Sequence, residues 1–150
     1  MRRARFLVLA GPVAAFADAR GVLAQAPQCS KTDFEAVVDE AAGALRDLAR
    51  QNTPQFQGKL RQLKGKRGWS DDQFLKEAEP LVRDDKIASF DQKSEEFLVR
   101  ITSGGQTGTS GGAPDCKLLA ELRATMGSLV DTQTAKWVYM FEKIEGELRK

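Results

Sequence analysis

The sequence predicts an all-α protein: a helical bundle of about five segments with one long C-terminal helix and one disulfide. Three observations carry this. Apolar residues recur at helical spacing through most of the chain, cap signals punctuate them, and no stretch alternates apolar and polar residues as a half-buried strand would. The C-terminal stretch 115–150 is the plainest case. Leu119, Leu122, Met126, Leu129, Val130, Trp137, Met140, Phe141, Ile144 and Leu148 fall on one face of a helix, with Gln133 inside the stripe as an expected hydrogen-bonded core amide.

Before this body, Arg2, Arg3 and Arg5 precede an apolar run over 6–17 that is too short to span a bilayer comfortably, the layout of a secretory signal peptide. The segment is read as 1–26, ending at Ala24-Gln25-Ala26, with Ala15-Phe16-Ala17 as the alternative site. Either cleavage removes a net three positive charges and takes the formal charge from +2 to −1. The basicity of the full chain therefore belongs to the signal, and a nucleic-acid partner loses its electrostatic basis. The expected location is the periplasm of a bacterium or the outside of the cell.

Residues 27–150 read as a single helical domain. Ser30 or Thr32 can cap a first helix from about 32 to 51, which carries Phe34, Val37, Val38, Ala41, Leu45, Leu48 and Ala49 on one side. Asn52-Thr53-Pro54 predicts a break and restart, and a short second helix bearing Phe56, Leu60 and Leu63 ends at Gly65 and Gly68. Ser70 and Gln73 form a capping box for a third, with Trp69 and Phe74 at the staple positions. Beyond Pro80 the apolar phase shifts, which predicts a kink or break at 83–85 with Asp84 or Asp85 capping the following segment. Residues 102–113, TSGGQTGTSGGA, have the composition of a flexible linker. They lack the Gly-Lys-Ser/Thr ending of a phosphate loop.

Two cysteines in an oxidising compartment read as one disulfide, Cys29 to Cys116. Each lies beside the start of a helix, so the bond would clip the first helix to the last at the same end of the bundle. No Cys-x-x-Cys motif supports a redox or metal reading.

Candidate chemistry is sparse. The chain has no histidine, the usual general base, nucleophile activator and nitrogen ligand for metals. The carboxylate doublets Asp39-Glu40, Asp71-Asp72, Asp84-Asp85 and Glu95-Glu96 diverge on a helix, because neighbouring residues point about 100° apart. The expectation is therefore a non-enzyme without cofactor or metal. Two surfaces stand out instead. Lys59, Arg61, Lys64, Lys66 and Arg67 form a basic cluster, which suits an anionic lipid or an envelope polymer, or is a solvated helix end complementing the helix dipole. On the back of the last helix Ala124, Ser128 and Ala135 keep the surface small around Tyr139, which suits a protein contact, or is an ordinary exposed face.

The general layout resembles acid-stress periplasmic chaperones in small size, export, all-helical body and one disulfide. The long last helix and the linker depart from that family, and no residue roles carry over. The functional expectation is a small exported helical protein that binds a protein partner, with an anionic surface as the alternative.

Overall fold

The computed structural model describes residues 29–150. The predicted signal peptide and both of its cleavage sites lie outside the described residues. Among the described residues four α-helices follow one another: α1 (Lys31–Arg67), α2 (Asp71–Val82), α3 (Asp85–Ser110) and α4 (Cys116–Arg149). The all-α class holds, with four helices in place of about five segments.

The caps form where local chemistry places them. Ser30 accepts from the Asp33 N–H while the Asp33 carboxylate accepts from the Ser30 N–H, closing a capping box at the start of α1. Ser70 and Gln73 do the same for α2. Asp84 caps α3 by accepting from Ile87 N, and Asp115 caps α4 by accepting from Lys117 N and Leu118 N. Gly68, with φ +64°, ends α1 in the left-handed conformation that glycine adopts without a Cβ penalty.

The expected break at 52–54 does not occur, and α1 runs through Pro54 for 37 residues. Proline in a helix interior costs about 3 kcal/mol. Phe56 and Leu63, beyond it, are buried, and each such side chain contributes roughly 1.5–3 kcal/mol. They can be buried without a break because the apolar phase does not change: Leu45 and Phe56 are eleven residues apart, close to three full turns. Phe56 meets Trp137 and Phe141 of α4 edge-on, at centroid distances of 6.1 and 5.5 Å. At 83–84 the phase does change, and there Arg83 is the C-cap of α2 and Asp84 the N-cap of α3.

The second departure is the expected linker at 102–113. Residues up to Ser110 are the last turns of α3, and only a short connection remains before α4. The glycines serve close approach between helices. A Cβ on Gly108 would stand 2.1 Å from Cδ1 of Phe34, one on Gly105 2.7 Å from Cγ2 of Val38, and one on Gly104 2.5 Å from Cδ2 of Leu122. Hydroxyls on the outer faces of the same turns donate to carbonyls one turn back, Thr107 to Ser103 and Ser110 to Gln106 among them.

α1 and α4 run parallel, with α3 antiparallel between them. The Cys29–Cys116 disulfide, Cα–Cα 5.4 Å, joins the two beginnings, while Lys66 and Arg67 reach Leu148 and Glu147 at the two ends. The core has two parts. Phe34, Val37, Ala41, Ile101, Leu119, Leu122 and Leu129 fill the disulfide end; Phe56, Leu63, Leu81, Ile87, Met140 and Ile144 fill the other. Between them Gln133 Nε2 donates to Ser94 Oγ at 2.7 Å, and that buried hydroxyl donates to Phe90 O, so the expected core amide is satisfied. α2 lies outside this three-helix body and packs mainly on α4.

Candidate functional site

The basic cluster sits where the end of α1 meets the end of α4. Lys59 pairs with Glu145 at 3.0 Å, Lys64 pairs with Asp71, and Arg67 pairs with Glu147 at 3.3 Å. Lys66 Nζ donates to Leu148 O and Arg67 also donates to Glu147 O, so two cations satisfy carbonyls that the last turn of α4 leaves without helical partners. Four of the five cations are thereby engaged within the molecule. Arg61 is exposed and has no ion pair. Lys64 beside Asp71 holds that carboxyl below its ordinary range, and Lys150 and Arg67 do the same for Glu147. These are structural ion pairs at a helix junction.

On the last helix Ala124, Ser128 and Ala135 are exposed, but Tyr139 is half-buried and already partnered. Its hydroxyl donates to Asp84 Oδ2 at 2.9 Å, its ring lies 6.4 Å from that of Phe90, and Lys86 Nζ stands 4.2 Å from its centroid. Asp84 collects more than this one bond. It accepts from Lys143, which also donates to Pro80 O at the end of α2, and it still caps α3. Lys143 above all, with Ile87 N–H and the Tyr139 hydroxyl, holds the Asp84 carboxyl at about 2. The same hydrogen bond to Asp84 pushes the Tyr139 phenol up. Tyr139 thus belongs to a clip that fastens the α2–α3 corner to α4. The four back-face residues are not one free surface.

Sequence reasoning missed a different feature, on α2. Phe74, Ala78 and Leu81 turn one side of this helix toward the body, yet Leu75 is 72% exposed and Val82 42%. They are seven residues apart, two turns on one face. Beside them runs a groove of about 330 Å³ between α2 and α1, lined by Leu60, Phe74, Leu75, Ala78 and Val82, with Glu79 and Arg83 at its edge. Glu79 and Arg83 pair with each other at 3.5 Å, so the groove carries no unbalanced charge. The signal was present in the sequence. Leu75 and Val82 share a phase that Phe74, Ala78 and Leu81 do not.

Among the described residues no group of three or more Cys, Asp or Glu side chains is placed to hold a metal ion, and no helix is long and apolar enough to cross a membrane. No protein-family model, curated protein or solved structure matches this chain.

Proposed function

We propose that this is a small exported, non-catalytic protein that binds a protein partner through α2. One observation carries the reading: Leu75 and Val82 form an exposed apolar ridge on the helix least embedded in the bundle, beside a groove with apolar walls. Scattered exposed apolar residues such as Val99 and Val138 are ordinary on any surface; two of them aligned along a groove form a contiguous patch. The occupant that fits is an amphipathic helix of the partner, its apolar residues spaced about two turns apart, laid along the groove.

The anionic-surface alternative is less well supported, since Lys59, Lys64, Lys66 and Arg67 already have partners in the fold. The test is co-purification from the cell envelope with the wild-type protein and with Leu75→Asp/Val82→Asp. Leu75 is 72% and Val82 42% exposed, and a circular-dichroism melt checks that the variant keeps its fold. Loss of a specific partner from the variant supports the reading, and an unchanged set of bound proteins refutes it. Neutralising Lys59, Arg61, Lys64, Lys66 and Arg67 with binding to anionic vesicles as the readout tests the alternative.

A further inference from the structure

A second groove, at the disulfide end and far from α2, has different chemistry. It runs between α1 and α3, encloses about 440 Å³, and is lined by Glu35, Val38 and Asp39 from α1 and by Thr102, Gln106 and Thr109 from α3, with Phe34 and Gly105 at its base. Gly105 and Gly108 bring the two helices close over the fully buried Phe34, and the half-buried Val38 is the apolar side chain that the groove presents. The rim is not apolar. Glu35 and Asp39 stand one turn apart on the exposed side of α1, an arrangement that repels at helical i, i+4 spacing. Neither has a cation at ion-pair distance: Lys31 makes no such pair with Glu35, and Arg123 is taken by Asp33 at 3.7 Å. No lining residue is basic. Two like charges left uncompensated beside an apolar side chain are complementary to a cation on an alkyl stem.

We propose that this groove receives a lysine or arginine side chain from a cationic, amphipathic segment of a protein partner. The stem lies along Val38 and the threonine methyls, and the head sits between the Glu35 and Asp39 carboxylates, with the Gln106 carbonyl as a further acceptor. The inference goes beyond the α2 reading and stands without it, because the two surfaces share no residue.

The test titrates the full exported chain with a fluorescent, end-capped Lys/Leu amphipathic peptide and with its Glu/Leu counterpart. The basic peptide is expected to show a salt-sensitive binding component that the acidic one lacks, any binding to the charge-balanced α2 groove being common to both. Glu35→Gln/Asp39→Asn is expected to weaken binding roughly five- to tenfold, the loss of two partly exposed charge contacts. Thr102→Trp, which fills the groove and leaves the charges, is expected to weaken it as well. Asp72→Asn/Glu77→Gln removes the same charge from α2, far from this groove, and is expected to leave binding within about twofold, since surface charges beyond a Debye length are screened. No binding of the basic peptide, equal losses in the two neutralised variants, or full binding by Thr102→Trp each overturns the proposal. Leu75→Ser/Val82→Ser removes the component common to both peptides and leaves the salt-sensitive difference between them, which separates the two surfaces.

Discussion

Replacing Gly108 by alanine tests the packing of the bundle where composition and structure point in opposite directions. In a slack linker the change would stabilise the protein by up to about 1 kcal/mol, because alanine restricts the unfolded chain. In α3 two effects compete. Alanine is a better helix former than glycine by about 1 kcal/mol, but its Cβ would stand 2.1–2.4 Å from three atoms of the Phe34 ring. Phe34 is 0% exposed and has no room to retreat, so the overpacking cost belongs at the upper end of the usual range of about 1–3 kcal/mol. The net is a destabilisation of about 2 kcal/mol. For a domain of this size that lowers the melting temperature by about 8 °C. The assay is urea unfolding followed by circular dichroism at 222 nm with the disulfide intact, beside Gly112→Ala, where a new Cβ meets nothing within 4 Å. An unchanged midpoint or an increase for Gly108→Ala would refute the close α1–α3 approach; a loss matched by Gly112→Ala would show that the effect is not specific to it.

Three further outcomes are expected. Pro54→Ala restores an N–H to an uninterrupted α1 and should stabilise the protein by about 1–3 kcal/mol in the same unfolding assay, whereas a chain that broke at 52–54 would gain nothing. The Asp84 carboxyl is held at about 2, below its unfolded value of about 4, so its contribution is present above pH 4 and is lost as pH falls from about 4 through about 2. Asp84→Asn should therefore flatten the stability profile over that window, and an unchanged acid limb would contradict the Lys143–Asp84–Tyr139 clip. Reducing Cys29–Cys116, which closes a loop of 87 residues in separation, should cost about 4.5 kcal/mol in the chain-entropy model; intact mass before and after reduction checks that the bond is present.

What could be read in the sequence depended on how far the deciding contact lay along the chain. The Ser30, Ser70, Asp84 and Asp115 caps act within three residues, so residue type and offset place them. The proline at 54 misleads because the rule against it is local. What overrides it is the shared phase of Leu45, Phe56 and Leu63, with Phe56 and Leu63 buried against a helix some eighty residues on. Residues 102–110 mislead for a similar reason. Glycine, serine and threonine make a slack linker or a tight helix crossing, and only Phe34, Val38 and Leu122 across the interface distinguish the two. The disulfide was legible because two cysteines allow one pairing.

The candidate surfaces divide in the same way. Composition identified Lys59, Arg61, Lys64, Lys66 and Arg67 as a cluster, but three of the five have their partners in α4 and Lys64 has one in α2, and without them the cluster looks free. Tyr139 likewise looked unpartnered until the α2–α3 corner was placed beside it. The Leu75–Val82 ridge was hidden by its neighbours, since Phe74, Ala78 and Leu81 give α2 an apolar side sufficient to explain its folding.

The most direct test of the proposed function is photo-crosslinking in the living cell, with a photoreactive amino acid in place of Leu75 and, in a second strain, in place of Glu96 on the exposed side of α3. Binding through α2 predicts a discrete adduct from position 75 that is absent from position 96 and disappears when Val82→Asp is added. No adduct at 75, or the same adducts from both positions, would contradict it.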